Sequence, residues 1–183
     1  MNTRAAVLVE GVSDKNAVEA LARRQGRDLH AEGVSVVPIG GAQAIGAFVE
    51  RLRPRGVKLA GLCDAGEEPH FRRALERAGF GENLTRRDME ALGFFVCVED
   101  LEDELIRSVG AAAIEEIADA QGDLPAFRTL QKQAAWRERP VEDQLHRWLG
   151  SGGRRKTRYA RLLVHALDPA RVPHPLHGVL AHV

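Results

Sequence analysis

Acidic residues follow three of the short apolar runs in this 183-residue chain. Glu10, Asp64 and Glu99 each come directly after such a run, and Asp14 lies four residues after Glu10. If the runs are parallel strands, these carboxylates meet at the edge of the sheet where the strands end, which is where open parallel sheets bind ligands. Carboxylates at close range repel one another, and a hard divalent cation with oxygen ligands, such as Mg²⁺, would offset that repulsion.

A second acidic feature is the segment 99–104, which holds five acids in six positions. His and Cys residues do not cluster beside it, which argues against a zinc site. The residues alone leave structural alternatives open. Asp14 could interact with the dipole of a helix N-terminus, and the 99–104 segment could be the acidic first turn of another helix.

The elements that must position these acids are predicted from the first half of the chain. Nearly continuous apolar runs alternate there with amphipathic segments, which is typical of a parallel sheet covered on both faces. The predicted strands are residues 5–9, 34–39, 57–63 and 94–98. The helices between them are predicted to begin near Ser13, to run over 44–52 and 68–78, and to follow a capping box at Thr85–Asp88. With right-handed crossovers, residues 1–110 form a Rossmann-like α/β core of about four parallel strands.

The remainder of the chain lacks strand patterns and is predicted to be helical. Helical patterns cover residues 101–120, 123–136, 141–149, 155–167 and 174–182. Prolines and glycines punctuate them. We therefore expect residues 111–183 to form a helical C-terminal extension that packs on the core.

Charge is unevenly distributed although the net charge is zero. Residues 1–120 hold 15 Lys or Arg and 21 Asp or Glu, whereas residues 121–183 hold 11 and 5. Five cations fall within eight positions with no acid among them: Arg154, Arg155, Lys156, Arg158 and Arg161. Such a segment is suited to binding the phosphate backbone of a nucleic acid without reading its bases. A solvated basic helix face is the alternative.

The pair Gly40-Gly41 follows the second predicted strand and precedes a helix, so its amides could face a phosphate. It matches neither of the common glycine-rich nucleotide-binding motifs, and a tight turn is the alternative. Two cysteines are too few for a disulfide framework. No apolar run approaches the length of a membrane span, and the N-terminal run is too short for a signal peptide. We expect a cytoplasmic protein without a membrane partner.

Five segments, taken in order, resemble TOPRIM domains, and most closely those of the OLD (overcoming-lysogenization-defect) nucleases. Residues 7–14, VLVEGVSD, resemble the first family motif, in which a strand delivers Glu-Gly and an acid follows four positions after the Glu. Residues 36–41 resemble the second strand with its glycine turn, and 62–64 the first Asp of a D-x-D motif. Residues 98–106 resemble the later acidic segment, and 153–163 the helix that carries a functional Lys.

This resemblance implies a metal-dependent nuclease that hydrolyses phosphodiester bonds of DNA, with RNA as an open alternative. It implies one or two Mg²⁺ or Mn²⁺ ions, which would stabilise charge on the phosphate oxygens and acidify a water molecule. The implied catalytic residues are Glu10, Asp64 and Lys156. The implied metal ligands are Glu10, Asp14, Asp64 and Glu102, with Glu67 and Glu99 as further candidates. The implied contacts to nucleic acid are Arg154, Arg155, Arg158 and Arg161, and the phosphate-binding turn is Gly40-Gly41.

The chain departs from the family pattern at the second motif, which reads Asp64-Ala65-Gly66-Glu67 and lacks the second Asp. Glu67, one position later, is the candidate substitute. The ATPase domain of OLD nucleases does not precede the first strand, so a separate ATPase chain is an expected partner unless the activity is independent of ATP. A homodimer is also compatible with the sequence. Two other functions remain open: a non-catalytic TOPRIM module that binds nucleic acid or an ATPase, and a receiver-like domain phosphorylated at Asp64.

Overall fold

The strands of this computed structural model, which describes residues 3–183, form one parallel sheet. They are β1 (Ala5–Val9), β2 (Val34–Pro38), β3 (Lys58–Cys63) and β4 (Phe94–Val96). Their order is β2-β1-β3-β4. The predicted α/β fold with four parallel strands is confirmed. The first two residues of the predicted core range 1–110 lie outside the described residues.

Helices make up most of the remaining structure in residues 3–183. They are α1 (Val12–Arg24), α2 (Ile45–Leu52), α3 (Glu68–Arg77), α4 (Arg86–Ala91), α5 (Leu101–Val109), α6 (Ala111–Ala120), α7 (Leu124–Gln131), α8 (Val141–Gly150), α9 (Gly153–Ala166) and α10 (His174–His182). None of them is both long and apolar enough to cross a membrane. The predicted capping box opens α4, where the Thr85 hydroxyl accepts a hydrogen bond from the Asp88 amide.

Both faces of the sheet are covered, which explains why its strands are apolar throughout. All five residues of β1 are buried. Val7 and Val9 pack into the apolar cluster formed with α1 and the C-terminal helices. Leu8 packs into a second cluster formed with α2, α3 and α4. Because side chains alternate along a strand, a central strand between two helical layers needs apolar residues at every position.

Two predicted elements end two or more residues earlier than the sequence indicates, and a third is interrupted. β4 stops at Val96 rather than at residue 98, and the Val98 amide donates to the Glu104 carboxylate at 2.8 Å instead of to a strand. The predicted helical segment 101–120 is broken at Gly110, whose φ of +87° favours glycine. The segment predicted over 123–136 forms α7 only up to Gln131.

Helix α9 packs lengthwise against α1 and carries Lys156 to the carboxyl end of β1. Asn16 Nδ2 donates to the Thr157 carbonyl at 3.2 Å, and the Arg24 guanidinium donates to the Val164 carbonyl. One apolar cluster contains residues from both the 1–110 and the 111–183 ranges, such as Val7 and Leu163. The division of the chain into a core and an extension stays a prediction.

The packing of α10 on β4 depends on a glycine, which gives a test of the fold. A Cβ at Gly178 would overlap the ring of Phe95, whereas a Cβ at Gly150 would meet nothing within 4 Å. We expect Gly178→Ala to lower the free energy of unfolding by about 1–3 kcal/mol through overpacking. The matched helical variant Gly150→Ala should stay within about 0.5 kcal/mol of wild type or exceed it. Urea unfolding measures both, and equal stability of the two variants would contradict the packing of α10.

Candidate functional site

Glu10 directly follows β1 and joins two strand ends. Its Oε1 accepts a hydrogen bond from the Asp64 amide at 2.9 Å, which fixes the carboxylate against the loop that follows β3. Burial raises the pKa of Glu10, and the nearby carboxylates of Asp14 and Glu67 raise it further. Glu10 therefore sits among other acids at the carboxyl edge of the sheet, as its position after the first apolar run predicts.

Asp14 lies in the first turn of α1 and has two roles in the geometry. Its Oδ2 accepts a hydrogen bond from the Gly11 amide at 2.7 Å, so it caps the start of the helix. The side chain is also buried, and burial raises its pKa, with Asp100 contributing further. Capping thus holds the Asp14 carboxylate at the same edge as Glu10.

Asp64 directly follows β3 and lies among the same acids. Burial raises the pKa of Asp64 to about 8, and the charges of Glu10 and Asp14 add to the effect. Glu67 lies in the same loop, is partly exposed, and has the His70 Nε2 3.7 Å from its Oε2. Gly66, where the family motif has its second Asp, is exposed and has no carboxylate.

Glu102 and Lys156 form the polar contact at the centre of this edge. Lys156 Nζ lies 2.9 Å from Glu102 Oε2, and the Glu102 side chain is only 7% exposed. The other oxygen, Oε1, is buried and has no hydrogen-bond partner. Burial raises the pKa of Glu102. The pKa of Lys156 is also raised, because its attraction to Glu102, Asp14 and Asp100 outweighs the effect of burial.

This donor set fits a hard divalent cation. Carboxylate oxygens are the ligands that Mg²⁺ and Mn²⁺ prefer, and the unpartnered Glu102 Oε1 lacks the hydrogen bond that buried oxygens normally have. In residues 3–183, however, no group of three or more His, Cys, Asp or Glu side chains is already arranged to hold a metal ion. The Lys156 ammonium supplies the positive charge in the present arrangement. Binding a metal at Glu102 would require Lys156 to move away from it.

Sequence reasoning missed two residues beside these acids. Asp100 is the N-cap of α5: its Oδ1 accepts from the Asp103 amide at 2.8 Å, and its Oδ2 lies 2.6 Å from His146 Nε2. The hydrogen bond to Asp100 raises the pKa of His146. Asp100 belongs to the acidic run that drew attention to this segment, but nothing in the spacing of His146, on α8, indicates its contact with a residue 46 positions earlier.

Two other predicted site features differ from these acids, because one side chain is exposed and the amides of the other are already hydrogen-bonded. The Glu99 side chain is exposed, and its carbonyl accepts from the Ala65 amide at 3.0 Å. The amides of Gly40 and Gly41 both donate to the Glu10 carbonyl at 3.2 Å. These amides hold a tight turn against the end of β1. Because both N–H groups are already used in this way, the interpretation of the pair as a phosphate-binding turn is not supported.

The basic segment of α9 is also divided by its tertiary contacts. Arg155 lies over the Trp148 ring and donates to the Trp148 carbonyl at 2.8 Å. Arg158 pairs with Asp123. Arg154 and Arg161 are exposed. The segment therefore does not present its five cations as one surface: Lys156 faces the acids, two arginines pack on neighbouring helices and loops, and two face solvent.

Comparison with known proteins agrees with this geometry. Residues 3–65 match the family model described as the TOPRIM domain of overcoming lysogenization defect protein-like sequences. The chain contains an OLD-like TOPRIM domain. TOPRIM domains generally bind divalent metal ions. A comparison with curated protein sequences finds no match.

The likeness to OLD proteins extends over the whole chain in solved structures. The C-terminal region of the Xanthomonas campestris pv. campestris OLD protein is 25% identical, with a TM-score of 0.77 over 99% of this chain and 92% of that chain. The C-terminal region of the Burkholderia pseudomallei OLD protein is 18% identical, with a TM-score of 0.74 over 100% of this chain and 97% of that chain, and shows the shared fold. The OLD-like region thus includes the helices that follow the family match.

The burial of Asp64 and its repulsion by the neighbouring acids predict a stabilising substitution. The pKa of Asp64 in the folded protein, about 8, lies above its ordinary value of 3.8. The folded state therefore binds the proton more tightly, and stability falls as the pH rises between these values. Because Asp64 is partly exposed, solvent screens much of the effect. We expect Asp64→Asn to raise the free energy of unfolding by about 1–2 kcal/mol at pH 8 with a chelator present.

The gain from Asp64→Asn should shrink toward pH 4, since the wild-type carboxyl is then largely protonated when folded. Urea unfolding at both pH values measures it. Asp119→Asn, an exposed change of the same kind on α6, should stay within about 0.5 kcal/mol of wild type. A loss of stability in Asp64→Asn at pH 8 would contradict the proposed repulsion.

Proposed function

We propose that this chain is a divalent-metal-dependent nuclease that hydrolyses phosphodiester bonds in DNA. One observation carries the proposal. Glu10, Asp14, Asp64 and Glu102, from three separate segments of the chain, have pKa values raised at one edge of the sheet beside Lys156. Buried acids that repel one another destabilise a fold, and such arrangements cluster at functional sites. The match to an OLD-like TOPRIM domain supports the same reaction class.

We propose that these four carboxylates hold one or two Mg²⁺ or Mn²⁺ ions. Bound ions would supply positive charge at the phosphate oxygens and would acidify a water molecule. The Gly11 and Asp64 amides keep the Asp14 and Glu10 carboxylates in place for this role. The unpartnered Glu102 Oε1 is the oxygen that gains most from a cation, because it has no hydrogen bond at present.

Lys156 has a different part in the proposal. Its pairing with Glu102 places an ammonium group among the acids. Released from Glu102, Lys156 would donate to a phosphate oxygen on which negative charge develops during hydrolysis. Asn16 and Arg24 of α1 hold the α9 backbone close to α1, which keeps the lysine within reach of the strand ends.

Glu67 takes the place of the missing second Asp in this proposal. Its charge contributes to the raised pKa of Glu10, so its carboxylate lies in the neighbourhood of Glu10. The exposed Gly66 favours the second candidate function, a non-catalytic TOPRIM module that binds nucleic acid or an ATPase. A separate ATPase chain is a proposed partner in both cases.

Cleavage of supercoiled plasmid distinguishes the two functions. With Mn²⁺ or Mg²⁺ we expect nicking by the wild type and at least about 100-fold slower nicking by Glu10→Gln and Asp64→Asn, because each removes a proposed metal ligand. Glu116→Gln and Asp119→Asn are matched controls on the exposed face of α6 and should stay within about twofold of wild type. Nicking that persists in Glu10→Gln would point to a contaminating nuclease and refute the assignment.

Lys156→Gln separates metal binding from the chemical step. Because the substitution removes the cation that now pairs with Glu102, Mn²⁺ affinity measured by calorimetry should equal or exceed that of wild type. The rate of nicking should fall about 100-fold, since no ammonium remains to stabilise the developing charge. Loss of Mn²⁺ binding in this variant would show instead that Lys156 supports the site structurally.

A further inference from the structure

A cluster of exposed cations lies at the opposite end of the sheet from the acids. Residues 51–58, RLRPRGVK, hold four cations in eight positions and no acid. We call this segment the basic turn. All four cationic side chains, those of Arg51, Arg53, Arg55 and Lys58, are exposed. In the part of the chain that the structure describes, none of them forms an ion pair.

The backbone of the basic turn is constrained. Helix α2 ends at Leu52 and passes directly into a short 3₁₀ helix over Arg53–Arg55, with Pro54 near its start. Gly56, at φ +70°, then reverses the chain into β3. Proline fixes its own φ, and the left-handed glycine ends the turn sharply. The cations therefore project from a backbone that loses little freedom when it binds a partner.

Two of the guanidinium groups are oriented by aromatic rings. The guanidinium of Arg51 lies 4.7 Å from the centre of the Phe48 ring, and that of Arg53 lies 4.7 Å from the centre of the Phe80 ring. Such contacts fix the plane of a guanidinium while leaving its edge N–H groups free to donate. Those N–H groups match the oxygens of a phosphate in a bidentate arrangement.

The turn is flanked by two shallow cavities that combine cations with apolar walls. One, of about 340 Å³, is lined by Arg51 and Arg55 together with Phe48 and Val57. The other cavity, of about 400 Å³, lies on the other side of the turn and is lined by Arg53 and Lys58 together with Phe80 and Leu92. Cations beside apolar surface suit a sugar–phosphate chain, which presents anionic oxygens and sugar carbons in turn.

We propose that the basic turn binds the phosphate backbone of nucleic acid, as an anchoring surface separate from the acids. This inference rests on the proposed function, because that function identifies nucleic acid as the ligand. β3 begins at Lys58 and ends at Cys63, directly before Asp64. At about 3.3 Å per residue, the turn and the acids lie roughly 20 Å apart. That distance corresponds to about six base pairs of duplex. The turn therefore contributes affinity and takes no part in the chemistry.

Equilibrium binding of a labelled DNA duplex of about 20 base pairs tests the proposal. The full chain is measured with a chelator present, so that binding is read without cleavage and without metal. The test variant is Arg51→Gln/Arg53→Gln/Arg55→Gln. We expect it to bind about tenfold more weakly at about 0.1 M salt. The slope of log K against log salt concentration should be smaller by about 3, because three phosphates are no longer neutralised by arginine.

Two further variants test whether the weaker binding is specific to this turn and whether it depends on the positive charge. Lys132→Gln/Arg137→Gln/Arg139→Gln removes the same charge from another exposed segment and should change affinity less than about twofold. Arg51→Lys/Arg53→Lys/Arg55→Lys keeps the charge and should retain most of the affinity, because a lysine also binds phosphate. Thermal melting of each variant confirms that it is folded.

The outcomes separate this inference from the nuclease proposal. The anchoring role would be overturned if the affinity for DNA fell equally in both glutamine variants or stayed unchanged in the test variant. It would also be overturned if the wild type did not bind DNA. Displacement of the duplex by an equal charge concentration of polyglutamate would also overturn it, in favour of an acidic protein partner. If plasmid nicking is absent while the weaker binding remains specific to the turn, the nuclease proposal fails and the anchoring role stands.

Discussion

The partial burial of mutually repelling carboxylates is the constraint around which this molecule is organised. Glu10, Asp14, Asp64 and Glu102 are brought to one sheet edge, and burial raises the pKa of each. The positive charge that faces them comes from Lys156 and, through Asp100, from His146 when it is protonated. Repulsion of this kind weakens a fold, so the surrounding structure has to hold the acids together against it.

The fold does so with backbone groups rather than with further charges. The Asp64 amide holds Glu10, the Gly11 amide holds Asp14, and the amides of the glycine turn hold the Glu10 carbonyl. The start of the acidic helix α5 is capped by Asp100, whose carboxylate accepts a hydrogen bond from the Asp103 amide. These hydrogen bonds hold the Glu10 and Asp14 carboxylates at the ends of β1 and β3.

The parts of this arrangement that depend on local sequence could be predicted, and those that depend on distant partners could not. Continuous apolar runs identified the four strands because a sheet covered on both faces needs apolar residues at every position. Glu10 and Asp64 could be placed because each follows such a run. The contact of Asp100 with His146 joins residues 46 positions apart, and no local pattern records it.

The same difference between local sequence and distant partners explains why the structure departs from some predictions. A run of cations predicts a basic surface only if each side chain faces solvent. Arg155 instead packs on Trp148 and Arg158 pairs with Asp123, both from other elements. The local sequence around the arginines of the basic turn likewise does not indicate whether they have partners. Only the structure, over residues 3–183, shows that they have no acidic partner and that Phe48 and Phe80 orient two of them.

Anomalous scattering from crystals grown with Mn²⁺ tests the proposed metal centre most directly. We expect a peak within ligand distance, about 2.0–2.2 Å, of carboxylate oxygens from Glu10, Asp64 and Glu102, with the Lys156 ammonium displaced from Glu102. Absence of a peak at this edge, with the Lys156–Glu102 pair intact at saturating Mn²⁺, would contradict a metal-dependent reaction at these carboxylates.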